Sequence, residues 1–315
     1  MKKILLLSVA VMFCISNMAQ DSINLKMNLE KNKVYRFNSV SEQTTIQTIN
    51  GNQQTIESKI NHSLSIKMID ATAGFIITEV RFDTLMTSTN SMGKTVNYSS
   101  VGEGNIKSSE TREIMSCIMN RLSKNSLYVK MDFTGRVLEI VNSKMLSDII
   151  LKDTSTITLK GPMASAIKTQ IVNLISDNTL KTMVESFTRV LPGKKVVTGE
   201  NWTLTVEANS GGMILDIKTG YHFDGINGNS ANITAESEIK AAENAGPMES
   251  GGAKIAYEDL KGLTKSSMLV DINTGLVIEN KAKTHMAGNL GVSGPGFSMQ
   301  IPLDINETSK VIAVQ

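Results

Sequence analysis

The chain predicts an α+β fold: two β-rich halves of long curved antiparallel strands, forming an internal repeat, with interposed amphipathic helices packed on the sheets. Three observations predict it. Between Ile56 and Met68 the apolar residues keep one parity for longer than an ordinary strand lasts. The stretch TGRVLE at Thr134–Glu139 returns as TGLVIE at Thr274–Glu279. Apolar residues also fall at helical spacing around Ile114–Leu122 and again through Ile167–Phe187.

The sequence opens with Lys2 and Lys3, an apolar run from Ile4 to Ile15, then small and polar residues to Ala19, which are the three regions of a secretory signal peptide. Cleavage after Ala19 is expected, giving a secreted chain that works in the periplasm or at the envelope. The run is shorter than the roughly 20 apolar residues a spanning helix needs. No transmembrane segment is expected in the mature chain. A lipid anchor at Cys14 is the rival ending, and the bulky Phe13 before it speaks against that. The expected divisions are the signal peptide at 1–19, a first β-rich half with one helical insertion at 20–142, a helical connector at 143–193 and a second β-rich half at 194–315.

In the first half, Tyr35 and Phe37 start a strand, and Asn50-Gly51 reads as a hairpin turn because both residues tolerate positive φ. Ile56, Ile60, Leu64, Ile66 and Met68 then share one face of a strand about 40 Å long at roughly 3.3 Å per residue. A strand of that length twists and coils. Ile76, Val80 and Phe82 alternate with Glu79, Arg81 and Asp83 in the next strand. The helical insertion, Ser109 to Leu122, puts Ile114, Ile118 and Leu122 on one face with Met115 and Met119 beside them. Asp132 precedes Thr134-Gly135, a tight turn whose glycine takes positive φ.

The connector reads as more helix, carried by Met145, Ile149 and Ile150, then Ile167, Ile171, Leu174 and Ile175, then Leu180, Met183, Val184 and Phe187. Pro162 fits a helix start and Pro192-Gly193 a stop. The second half restarts at Trp202, Leu204 and Val206, alternates through Met213, Leu215, Ile217, Tyr221 and Phe223, and turns at Asn227-Gly228. It closes on Met268–Glu279, where Asp271 and Gly275 repeat the earlier turn.

Composition narrows function mostly by exclusion. The chain holds 32 basic and 30 acidic side chains, and losing Lys2 and Lys3 brings the mature chain to balance, so electrostatic nucleic-acid binding has no basis. Of two cysteines only Cys117 lies beyond the signal, so the fold rests on apolar burial rather than internal disulfides. His62 shares the apolar parity of its strand, with no metal-spaced partner nearby, and reads as a satisfied core histidine. His222 and His285 read as solvated. The DGINGN segment at Asp224–Asn229 puts Ile226 where a calcium ligand belongs, so it reads as a hairpin. Gly288–Gly296 lacks a phosphate-binding pattern and reads as a flexible loop. Cys117 sits in an apolar helical face with no adjacent histidine, as a structural thiol does. Without a GxSxG elbow or a local triad, an enzyme is not expected, and no cofactor or metal is implied.

What remains is methionine, 18 in all, flexible and polarizable, either filling gaps in an aromatic-poor core or lining a site for apolar ligands. A curved sheet roofed by helices can enclose an apolar cavity. Its expected lining is Met68, Ile114, Met115, Ile118, Met119, Ile171, Met183, Phe187 and Met213.

Four segments carry a family resemblance: LEKNKVYRF, LPGKKVVTGENWTL, DINTGLVIE and MQIPLDINETSKV. Together they resemble an uncharacterised domain-of-unknown-function family of secreted bacterial proteins, which implies neither activity nor site residues. The curved strands with interposed helices resemble more loosely the half-barrel of periplasmic lipoprotein carriers. The expected function is an exported non-enzymatic binding protein for a lipid or other apolar molecule. The alternative is a structural or protein-interaction module of the cell envelope, with an envelope protein as partner.

Overall fold

The computed structural model describes residues 22–157, 162–210, 213–243, 245–250 and 252–314. The signal-peptide reading therefore lies outside the described residues. In chain order the strands are β1 (Ile23–Asn24), β2 (Val34–Ile49), β3 (Asn52–Ala71), β4 (Ile76–Ser91), β5 (Lys94–Ser99), β6 (Leu127–Met131), β7 (Val137–Ile140), β8 (Lys195–Val196), β9 (Asn201–Ser210), β10 (Met213–Asn227), β11 (Ser230–Ala241), β12 (Met248–Ser250), β13 (Ala253–Asp271), β14 (Val277–Gly294) and β15 (Phe297–Val314). The helices are α1 (Thr111–Lys124), α2 (Ser143–Ile150), α3 (Pro162–Leu174) and α4 (Asp177–Thr188).

All strands except the short β1–β8 pair join one antiparallel sheet of 13 strands among the described residues. Its main path runs β7-β6-β4-β3-β2-β15-β14-β13-β11-β10-β9, with β5 on β4 and β12 on β13. The two β-rich stretches are thus continuous, because β2 pairs with β15 from Arg36↔Val314 to Gln47↔Leu303. Helix α4 touches both β7 and β9, the two ends of that path, so the sheet bends round until its opposite edges reach one helix. Register shifts at Ser63/Leu64 and Met68/Asp70 in β3 add local bending.

The inner face is layered. Its lower part, with Phe37, Leu64, Phe82, Phe223 and Met268, forms one buried apolar cluster with the helices. A second, smaller cluster of Leu215, Ile239, Leu260, Met286 and Ile305 lies further along the strands. Between them runs a row of directly opposed polar side chains: Thr219, Ser237, Thr264, Thr284, Glu307, Gln43, Ser58 and Thr89, from β10 across to β4. The hydroxyls of the row bond in adjacent pairs, at 2.9 Å for Thr219 and Ser237, 2.7 Å for Thr264 and Thr284, and 3.3 Å for Ser58 and Thr89, while Glu307 accepts from Ser41 and Gln43 donates to Thr45.

The Thr-Gly turns form as expected. Asp132 Oδ1 accepts from Thr134 N, Thr134 Oγ1 and Arg136 N, and Asp271 Oδ1 accepts from Asn273 N and Thr274 N. Gly135 and Gly275 take φ of 83° and 73°. An N-terminal extended segment runs between them: Met27 N donates to Phe133 O and Asn28 N to Thr274 O, with Leu25, Met27 and Leu29 buried.

Several local expectations shift. Asn50 and Gly51 take positive φ (50° and 79°) in the β2–β3 turn, as read, but β10 and β11 pair through Asn227↔Ser230. The second turn is therefore Gly228-Asn229, with glycine alone at positive φ, as a type II′ turn requires. Met92-Gly93 makes a further hairpin that the sequence did not advertise, since methionine seldom adopts positive φ. Gly288–Gly294 is not a flexible loop but the end of β14. Its glycines answer crowding: a Cβ on Gly288 would lie 2.6 Å from Leu260 Cα, where β13 bulges at Asp259 and turns Leu260 inward. In α2 the buried residues are Leu146 and Ile150, while Met145 and Ile149 are exposed, because the i, i+4 pair facing the core starts one residue later than read.

Candidate functional site

Helix α4 begins at Ser176, whose side chain accepts from Thr179 N, with Asp177 in the first turn toward the positive end of the helix dipole. Leu180, Val184 and Phe187 bury one face, Phe187 lying 6.0 Å from Phe37 between ring centres. The flank carries an ion pair, Glu185 to Arg189 at 3.1 Å, with side chains only 16% and 18% exposed.

That pair stitches the sheet edges. Glu185 Oε1 accepts the N–H of Val137 on β7 at 2.7 Å, and Arg189 Nη2 donates to the carbonyl of Thr205 on β9 at 3.2 Å. Thr188 Oγ1 donates to Gly135 O, and Trp202 Nε1 donates to Val190 O just past the helix. Unpaired strand edges invite pairing with other chains, and a helix laid across both removes the invitation.

Beneath α4, against the inner face of β9, β10, β11, β13 and β14, lies a recess of about 240 Å³. Leu204, Val206, Ile217, Tyr221 and Met268 line it alongside Thr219, Ser237, Thr264, Ser266 and Asn280, with Glu185 and Arg189 on the helix side. The ring of Tyr221 stacks on Trp202 at 5.3 Å and 4°. Burial raises the Tyr221 phenol above its ordinary range, with the Thr219 hydroxyl and the Arg189 charge opposing. Asn280 Oδ1, also on this lining, is the one buried side-chain polar atom without a hydrogen-bond partner among the described residues. An orphaned buried acceptor is uncommon and costly.

Seven of the nine expected lining residues, Met68, Ile114, Met115, Ile118, Met119, Ile171 and Phe187, sit together in the lower core at 9% exposure or less. Met183 packs half-buried against them, and the side chain of Met213 lies outside the described residues. The eight whose side chains are described thus pack in or against the lower core, and of those eight only none but the partly buried Met183's neighbours on α4 approach the recess, which none of the eight lines. The signal that marks the recess is polar: Glu185 and Arg189 at i, i+4 beside the apolar Leu180, Val184 and Phe187 face at the C-terminal end of α4, and hydroxyls at inward parity in the second half.

His62 is on the inner face opposite Ser39 and Leu85, half-buried and without a polar partner among the described residues, so it is not the satisfied core histidine expected. Desolvation lowers its pKa to about 4. His222 and His285 are surface residues bonded to Asn201 and Asp304. Cys117 is buried. Two wider recesses, about 800 and 890 Å³, open among outward charged residues such as Lys59, Glu42, Lys265 and His285, the first also reaching Gln43, Ser58, Thr284 and Glu307 of the polar row. Their charges pair in solvent, Lys59 with Glu42 at 2.7 Å and Lys265 with Glu236 at 3.2 Å. Among the described residues no cluster of His, Cys, Asp or Glu is arranged to hold a metal, and no helix is long and apolar enough to cross a membrane.

A family model described as a family of unknown function, DUF6263, matches residues 73–277. The chain belongs to this family. The DUF6263 match takes in α4 and most of the recess lining, and it contains LPGKKVVTGENWTL and most of DINTGLVIE, two of the segments that carried the resemblance. No curated protein matches the chain. Among solved structures it is similar to lipovitellin, described for its lipid-protein interactions, at 11% identity and a TM-score of 0.44, covering 91% of this chain and 26% of that one. It spans about a quarter of the lipovitellin chain. An outer membrane channel from Pseudomonas putida F1 is similar at 7% identity, TM-score 0.27, covering 95% and 100%. The outer membrane protein OprG from Pseudomonas aeruginosa follows at 7%, TM-score 0.22, covering 91% and 100%.

Proposed function

We propose that this is an exported, non-enzymatic binding protein that holds a small apolar or amphipathic ligand in the recess beneath α4. One observation carries the reading: the largely apolar lining of the recess includes Asn280, whose buried Oδ1 is the one such side-chain polar atom left without a partner among the described residues. Binding cavities commonly combine an apolar lining with a few placed polar groups. The volume, about 240 Å³, is below the usual range of roughly 300 Å³ upward, so it suits a short chain or one segment of a lipid. The same reading takes the matching Thr-Gly turns as traces of an internal repeat in which only the second copy kept room for a ligand.

Trp202 is the sole tryptophan and stacks on Tyr221, a lining residue, so its fluorescence reports on occupancy. Titrating detergent-free protein with medium-chain aliphatic probes should shift Trp202 emission saturably, and native mass spectrometry should show one probe per chain. Filling the space with Ala282→Leu should abolish the shift while circular dichroism stays unchanged. No response to any probe, with the same spectrum in both proteins, removes the proposal.

A further inference from the structure

The polar geometry of the recess narrows the ligand further, in a step that rests on the binding reading above. Two of the three charged groups on the lining are already paired, Glu185 with Val137 N and Arg189, and Arg189 with Glu185 and Thr205 O, while the third, Glu207, is exposed to solvent. An anionic head group would meet the Glu185 carboxylate in a poorly hydrated space, and a cationic one would meet Arg189. Each faces like charge that solvent does little to screen. The hydroxyls of the polar row bond one another in pairs, as Thr264 does with Thr284 at 2.7 Å. The buried group left without a partner among the described residues is Asn280 Oδ1, which accepts and cannot donate.

We infer that the recess selects an uncharged amphiphile bearing a hydrogen-bond donor, a hydroxyl or an amide N–H, seated on Asn280 with its short apolar segment along the lining of β9 and β10. At about 30 Å³ per water-sized group, the volume takes roughly eight such groups, the size of a medium-chain alcohol.

The test is a matched series read by Trp202 fluorescence at pH 8: 1-octanol, heptyl methyl ether and octanoate. The ether has the heavy-atom count of the alcohol and no donor. 1-Octanol should bind about tenfold more tightly than either, the usual effect of leaving a buried polar group unpaired. In Asn280→Leu the alcohol should fall to the level of the ether while the ether itself binds as before. That variant removes an orphaned acceptor, so its thermal midpoint should not drop; if it does not fold, Asn280→Ala repeats the comparison. Equal binding of alcohol and ether in the native protein, or tighter binding of octanoate, overturns the donor assignment and leaves the recess as a purely apolar or anion-tolerant site. Failure of all three probes to bind overturns the binding reading itself, and the donor assignment with it.

Discussion

The two halves of the sheet share a turn and differ in their lids. On the first half α1 lies over β4 and β5 and presents Ile114, Met115, Ile118, Met119 and Leu122, all 7% exposed or less, so that bulky side chains fill the space to the sheet. On the second half α4 lies against β9 and turns Glu185 and Arg189 toward the strands, which spread to reach backbone groups on two edges and leave about 240 Å³ beneath them. The same curved sheet is therefore solid core beneath the apolar face of α1 and hollow beneath the Glu185–Arg189 flank of α4. Apolar patterning alone locates the first situation, and the interruption of that pattern locates the second.

The sharpest way to break the comparison is through the turns. A Cβ on Gly135 would lie 2.0 Å from Thr188 O, at the end of the helix that holds both edges, whereas on Gly275 it would lie 2.4 Å from Lys26 O in the N-terminal segment. Both glycines carry positive φ, so alanine is strained at either site. Gly135→Ala should cost about 4 kcal/mol and Gly275→Ala about 2 kcal/mol in urea unfolding, because a terminal segment yields more easily than a packed helix. Amide exchange at Met27 and Asn28 should accelerate in Gly275→Ala and not selectively in Gly135→Ala. Equal costs would mean that the turns are interchangeable and that the lids do not distinguish the halves.

Next in size is a pH effect confined to the first half. His62 stays neutral in the fold down to about 4 against an ordinary 6.5, so between those values the unfolded chain binds more protons. Its stabilising contribution is complete above 6.5 and disappears as the pH falls toward 4, a loss of about 3 kcal/mol. His62→Leu should flatten the stability curve over that window. An unchanged slope would show that the imidazole is hydrated in the fold.

Much of this architecture was legible in the residues. The parity of Ile56 to Met68, the Asp-Thr-Gly turns and the 114–122 helix follow from short-range geometry, and each forms where the pattern put it. What escaped depended on partners far along the chain. Nothing local says that Gly288 is a strand glycine, because the reason is the bulge at Leu260 pressing on it. Nothing local says that Met115 fills space rather than lines it, since that depends on how closely β4 and β5 approach α1. The recess was missed for a related reason: its marker is a set of Ser, Thr and Asn side chains from five strands, each unremarkable alone and a polar row only when the registers are known.

A smaller perturbation separates the edge-closing role of α4 from its packing. Glu185→Gln keeps the shape and a hydrogen-bond acceptor for Val137 N but removes the charge that holds Arg189, at an expected cost of about 2 kcal/mol for a partly buried pair. In a double-mutant cycle with Arg189→Met, the coupling should account for most of that loss. Exchange at the β7 and β9 edges should rise together, since one pair serves both; exchange rising at β7 alone would show that Arg189 holds Thr205 without help from Glu185.

The smallest expected effects return to the paired turns. Asp132 accepts three hydrogen bonds and Asp271 two, so Asp132→Ala should cost about 2 kcal/mol and Asp271→Ala about 1 kcal/mol. Both carboxylates act within their own turn, so these costs should add in the double variant to within about 0.5 kcal/mol, as for separated sites. A larger deviation would mean that the two turns are coupled through residues 25–29, which hydrogen-bond to both. The N-terminal segment would then be the element that makes the two halves fold as one.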